Sequence, residues 1–147
     1  MIIRAMTAAD LDGVQSIEQQ VQSHPWLPAH FANCLSVGNL ALVMEPPDGP
    51  LPVAYAIVSV GGGEADLLNI AVAPDHQRQG IATCLLSHLL VAVADRADTL
   101  FLEARATNHN AIHLYDALGF NQVGIRHNYY PARRGREDAL IFARTLG

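Results

Sequence analysis

The stretch Asn69-Ile70-Ala71-Val72-Ala73-Pro74-Asp75-His76-Gln77-Arg78-Gln79-Gly80-Ile81-Ala82 carries an apolar run into a tight turn of the form Gln-x-x-Gly-x-Ala, and that turn opens a long apolar helix. The first amide N–H groups of such a helix have no partner inside it and sit at the positive end of its dipole, so they can receive a phosphate. Glycine at position 80 would let a pyrophosphate approach the backbone, and Arg78 could pair with it through its fork of N–H donors. An ordinary helix start with a solvated arginine is the other reading of the same residues. Glu103 is a lone carboxylate within Leu100-Phe101-Leu102-Glu103-Ala104. Partial burial there would make it a better proton acceptor, unless it closes a salt bridge with Arg105. Tyr115 stands on a helical stretch, where its phenol could donate a proton or pack in the core with a tethered hydroxyl. Asn108 suits the N-cap of that helix.

Other chemistries fail on residue type. All nine cationic residues are Arg, so a lysine Schiff base and a P-loop lysine are excluded. His109 and His113 share a helical face at the spacing of a zinc-binding H-E-x-x-H, but Asn110 replaces the glutamate, and two imidazoles are too few ligands, so no metal is expected. Cys34 and Cys84 form no CxxC pair, and Cys84, between Ile81 and Leu85-Leu86, reads as a small packed thiol. A net charge of -5 argues against a nucleic-acid partner, which requires clustered cations. There is no cationic segment leading into a signal-peptide core, and no apolar run reaches the roughly 18–20 residues of a membrane span. These features predict a soluble cytoplasmic chain with no membrane partner.

The elements that must hold these residues follow from periodicity. At 147 residues, half of them apolar, residues 1–147 read as one globular domain. Ile2 to Met6 predicts a strand, and Thr7 with Asp10 an imperfect capping box. Leu11, Val14, Ile17 and Val21 recur at helical spacing with Glu18 facing outward, and a second short helix is expected over Ala29 to Leu35. Leu40 to Met44, Val53 to Val60 and Ala65 to Val72 predict an antiparallel meander, broken by Pro46-Pro47-Asp48-Gly49-Pro50 and by Gly61-Gly62-Gly63. A long helix from Gly80, a strand over Thr99 to Ala104, a helix over Asn108 to Leu118, and strands over Gln122 to Tyr130 and Asp138 to Ala143 complete the chain.

The strand-Gln-Arg-Gln-Gly-Ile-Ala-helix arrangement resembles the pyrophosphate-binding motif of the GNAT superfamily of N-acetyltransferases. More narrowly, Glu103-x-Arg105-x-x-Asn108, Leu114-Tyr115, Gly119-Phe120, Asn128-Tyr129-Tyr130-Pro131 and Gly135-Arg136-Glu137-Asp138-Ala139 are similar to the ribosomal-protein-alanine N-acetyltransferase (RimI) family. The likeness reaches back to Ile17-Glu18-Gln19 and Pro25-Trp26, and is weakest from Ala32 to Gly63. One departure is Ala82, where many relatives have glycine; a methyl group there is small and favours the helix.

The resemblance implies an α/β fold of mixed α+β type, a twisted mixed sheet of about seven strands with helices on both faces. The fourth and fifth strands would be parallel neighbours that splay at their C-terminal ends. It implies an enzyme that uses acetyl-CoA, with Glu103 as general base and Tyr115 as general acid. The coenzyme would be held by the backbone of Ile70, Ala71 and Val72, by Arg78, Gln79, Gly80, Ile81, Ala82 and Thr83 at the helix start, and by Asn108. The implied acceptor is the alanine-first N-terminus of a small-subunit ribosomal protein. A small-molecule amine, a lysine side chain, and a non-catalytic acyl-CoA sensor are the rival readings. Pro25-Trp26-Leu27 and Asn128-Tyr129-Tyr130-Pro131 resemble segments that flank the acceptor groove, although Trp26 equally suits a core anchor.

Overall fold

The computed structural model describes residues 1–147, whose strands join in one seven-stranded sheet. In chain order the elements are β1 (Ile2–Ala5), a 3-10 turn (Ala8–Asp10), α1 (Leu11–Val21), α2 (Pro28–Ser36), β2 (Leu40–Glu45), β3 (Ala54–Gly61), β4 (Glu64–Val72), a second 3-10 turn (Pro74–His76), α3 (Ile81–Val93), β5 (Thr99–Arg105), α4 (His109–Ala117), β6 (Asn121–Pro131) and β7 (Arg136–Thr145). The strands lie in the order β1-β2-β3-β4-β5-β7-β6. All neighbours are antiparallel except β4 and β5, which run parallel on either side of the α3 crossover. The expected order of elements and the parallel central pair are both observed.

Side-chain alternation sorts the strands onto two faces. Ala54, Ala56 and Val58 of β3 pack with Leu85, Leu86 and Leu89 of α3. Tyr55 and Ile57, between them, pack with Val14 and Ile17 of α1 and Phe31 of α2. A strand buried on both faces reads as a continuous apolar run, which is what Val53 to Val58 presents. Leu85 and Leu86 are fully buried, so truncating either to Ala would cost about 2–5 kcal/mol.

Two local devices shape the sheet around its centre. Gly62 and Gly63 both have positive φ, as a two-residue hairpin turn requires, and bring β3 back into β4. Pairing then slips by one residue: Ile57 faces Asn69 and Val58 faces Leu67, leaving Leu68 as an extra residue in β4. Such a bulge bends its strand. Parallel pairing of β4 with β5 runs only from Glu64 and Thr99 to Asp66 and Phe101, after which the two strands part. This is the expected splay.

Two expectations need correction. Glu18 does not face outward: it lies four residues past the fully buried Val14, hence on the same helical face, and is only 1% exposed. Cys84 is exposed, because the apolar stripe of α3 centres on Leu89 and position 84 turns away from it. Cys34 is the buried thiol.

Candidate active site

Leu100, Leu102 and Ala104 of β5 point into the α3 side of the core, so Glu103 is turned to the α1 side by simple alternation. It lies where two cavities meet, one of about 340 Å³ and one of about 720 Å³. Trp26, Leu67, Leu68, Glu103 and Tyr130 line both. The smaller cavity runs along β4 toward α4, past Ile70, Asn108 and Tyr115. The larger opens outward past Asp66, Arg126 and Tyr129.

Tyr115 reaches the smaller cavity from the opposite face of the sheet. Its ring packs against Phe120 and Phe142 at 5.8 and 5.9 Å, and the residue is buried among the α3-side core. Burial pushes its phenol up to about 12, with a smaller contribution from Tyr130. Tyr115 is thus a core side chain whose residue also lines the cleft. The splay lets residues on opposite faces share one cavity, since unbroken pairing of β4 with β5 would wall them apart.

Glu103 does not pair with Arg105. Its Oε1 lies 3.0 Å from Arg126 Nε, while Arg105 donates to Glu137 at 2.8 Å and to Pro131 O at 2.8 Å, and stacks over the Tyr130 ring at 4.6 Å. Tyr130 is pushed up to about 12, chiefly by burial and then by the nearby Glu103 charge. Arg126 enters the cleft because β6 slips by one residue upstream of it, Gln122 facing Phe142 and Gly124 facing Ile141, which sets Arg126 opposite Ala139 on the face of Glu103. A second, wider irregularity follows it. Arg126 faces Ala139 and Tyr130 faces Glu137, so β6 uses four steps where β7 uses two. Asn128 takes a left-handed φ of 52° within that bulge, and Arg136 fastens it by donating to Asn128 O and Tyr129 O at 2.7 Å each. Nothing in the residue pattern of β6 signalled this bulge.

Along the cleft, Asn108 caps α4, its Oδ1 accepting from Ala111 N–H at 3.3 Å while the residue lines the smaller cavity. Beyond Asp66 one edge of β4 faces no strand, so the backbone from Leu67 through Val72 borders the splay. Gln77 Nε2 donates to Val72 O at 3.0 Å. The chain then turns through Arg78 and Gly80, with φ of 63° and 77°. No side chain caps α3, and the first bond of its ladder is Cys84 N–H to Gly80 O at 3.0 Å. The N–H groups of Ile81, Ala82 and Thr83 precede that ladder. A Cβ built on Gly80 meets no protein atom within 4 Å, so it would project into open space before the helix. An uncapped helix start, an adjacent arginine and an open strand edge suit a long ligand with an anionic group. Arg78, Gln79, Gly80, Ile81, Ala82 and Thr83 do not line either cavity; they lie next along the chain from the open edge of β4, with Ala71 and Val72 between. His109 and His113 are both exposed, and no three His, Cys, Asp or Glu side chains gather anywhere in the structure.

Fold and cleft together define a class of enzyme. The chain belongs to the acetyltransferase (GNAT) family, whose model matches residues 11–120. Within that family it is similar to the ribosomal protein bS18-alanine N-acetyltransferase of Escherichia coli, at 44% identity over 142 residues, 96% of this chain and 95% of that one. The crystal structure of the Escherichia coli ribosomal-protein-S18-alanine N-acetyltransferase superposes with a TM-score of 0.93 at 41% identity, covering 99% of this chain and 94% of the other. Arabidopsis thaliana NAA60 in complex with acetyl-CoA shares the fold, with a TM-score of 0.88 at 19% identity over 98% and 97% of the two chains. The fold class and family expected from the sequence are borne out.

Proposed function

We propose that this enzyme transfers acetyl from acetyl-CoA to the α-amine of a protein N-terminus, and that its acceptor is the alanine-first terminus of a small-subunit ribosomal protein. The approach of Glu103 and Tyr115 to one cavity from opposite faces of the sheet carries the reading. Similarity over nearly the whole length of an enzyme named for that acceptor supports it. Residues 1–147 act as one catalytic unit in this reading. Ribosomal proteins are made in the cytoplasm, and the enzyme works there; no helix of the chain is long and apolar enough to cross a membrane.

Bound acetyl-CoA supplies an acyl group activated as a thioester. Ile81, Ala82 and Thr83 hold its pyrophosphate by their free N–H groups, with Gln79 and Gly80 forming the turn and Arg78 adding charge-assisted bonds. The open edge at Ile70, Ala71 and Val72 offers strand-like pairing to the amide-bearing arm, and Asn108 borders it. Glu103 takes the proton that the α-ammonium must lose before its nitrogen can bond to the acyl carbon. Because Oε1 is engaged by Arg126, Oε2 is the oxygen that receives it. Tyr115 Oη, kept protonated by burial, gives its proton to the sulfur as the carbon–sulfur bond breaks. The acceptor enters through the larger cavity, between Trp26 and Tyr129-Tyr130.

Purified protein, acetyl-CoA and an alanine-first peptide should release thiol in step with one acetyl added to the peptide. A matched peptide with a blocked N-terminus and an internal lysine should not react. Acetylation of the blocked peptide alone would overturn the acceptor, and coenzyme binding without thiol release to any amine would favour a sensor.

A further inference from the structure

Helix α1 grips the main chain of Trp26 at both ends. Gln15 Nε2 donates to Trp26 O at 2.8 Å, and Trp26 N–H donates to Glu18 Oε2 at 2.9 Å. Gln15 and Glu18 are three residues apart, hence neighbours on one helical face. The other Glu18 oxygen accepts from Tyr55 Oη on β3 and from Asn69 Nδ2 on β4 at 2.9 Å, Asn69 being next to the bulged Leu68. One carboxylate thus ties α1, the chain ahead of α2, and strands β3 and β4, the latter bordering the splay. We propose that Gln15 and Glu18 are positioning residues that clamp Trp26 and so set the acceptor side of the cleft.

Three observations point to the clamp rather than to packing alone. Glu18 is almost fully buried yet has no cationic partner, and such a carboxylate costs stability unless donors satisfy it; an apolar side chain would pack there at less cost. Gln15 Oε1 is buried without a partner, so the amide is oriented by the one bond that needs its NH2, to Trp26 O. Trp26 is the only residue outside the sheet that lines both cavities, and its ring is further seated against His30 and Phe31 at 4.9 and 5.0 Å. Fixing its backbone fixes where that ring stands relative to Glu103. The sequence marked Trp26 for either an acceptor wall or a core anchor; the clamp makes it an anchored wall.

The inference rests on the proposed acceptor side of the cleft, and the test separates the two. Trp26 is the only tryptophan, so its emission and its quenching by acrylamide report the clamp with no substrate present. Gln15→Leu removes the donor together with the unpartnered oxygen. Its melting temperature should shift by no more than about 3 °C. Trp26 should become more accessible to acrylamide, and KM for the alanine-first peptide should rise about 3- to 10-fold, the factor of one hydrogen bond, with coenzyme Kd unchanged. Glu18→Gln, which still offers an oxygen to Trp26 N–H, should recover most of the acceptor affinity that Glu18→Ala loses. Equal quenching in wild type and Gln15→Leu overturns the clamp, as does increased quenching with an unchanged acceptor KM. A Glu18→Gln enzyme as impaired as Glu18→Ala, with an altered pH profile, would make Glu18 a proton carrier and also overturn it. Wild-type protein inactive on the alanine-first peptide, but with Trp26 freed in Gln15→Leu, would defeat the acceptor reading and leave the clamp standing.

Discussion

Arg126 Nε lies 3.0 Å from Glu103 Oε1, an ion pair that reaches from β6 over the intervening β7 to β5. The pair engages Oε1 and leaves Oε2 without a protein partner, on a residue that lines both cavities. Glu103→Gln keeps the shape of the side chain but cannot take a proton. Its kcat should fall by roughly 10²–10⁴, with melting temperature and coenzyme Kd near wild type. A folded, coenzyme-binding Glu103→Gln enzyme with nearly full kcat would reduce Glu103 to an orienting group.

Tyr115→Phe should slow turnover without unfolding the protein, because the ring that packs on Phe120 and Phe142 is retained. The raised value near 12 sets the pH dependence. The neutral phenol is favoured in the folded state, so its contribution to stability is complete below the unfolded value of about 10 and is lost as pH rises toward the folded one. Turnover by the variant should therefore be low throughout the neutral and mildly alkaline range, while its alkaline melting curve loses the Tyr115 component. Rate profiles and thermal scans of both proteins check the two halves separately.

Gly80 and Arg78 both hold left-handed backbone, and opposite substitutions should give opposite stabilities. Gly80→Ala has room for its methyl but not the favoured conformation, and should cost about 1–2 kcal/mol while weakening coenzyme binding. Arg78→Gly relieves a strained non-glycine residue and should be neutral or stabilising. Its coenzyme affinity should nevertheless drop and lose salt dependence, since a phosphate partner is gone. Denaturant midpoints and calorimetric Kd values test both; equal coenzyme affinity in Arg78→Gly would remove Arg78 from the binding set.

Asp10 links the start of α1 to β1. Arg4 donates to both its oxygens at 2.8 Å and Thr7 N–H donates at 2.8 Å, and these bonds hold its carboxyl below the usual range. A lowered folded value contributes stability above the unfolded pKa near 4, and that contribution disappears as pH falls through the folded value. Asp10→Asn should lose about 1–3 kcal/mol at neutral pH and show a shallower decline in acid. A pH series of urea melts is the measurement; parallel curves for the two proteins would sink the assignment.

Local chemistry made much of this protein legible from its sequence. Hydrophobic period distinguishes the helices from the strands, Gly and Pro mark the turns, and the Gln-x-x-Gly-x-Ala turn shows an uncapped helix start because the residues that create it are contiguous. The alternation of Leu100, Leu102 and Ala104 likewise sends Glu103 to the other face without any tertiary information. What surrounds Glu103 is different in kind. Its partner Arg126 arrives from a strand 23 residues away, aligned by a one-residue slip between Gln122 and Gly124, and Tyr115 reaches the same cavity only because β4 and β5 part after Asp66 and Phe101. Periodicity reports on which face of its own element a residue lies, not on which distant group satisfies it. Glu18 is the clearest case: its charge argued for water, its spacing from Val14 argued for the core, and only the assembled donors Tyr55, Asn69 and Trp26 decide between them. A carboxylate can be buried when those donors come together, and they come from three separate segments that meet only in the folded chain.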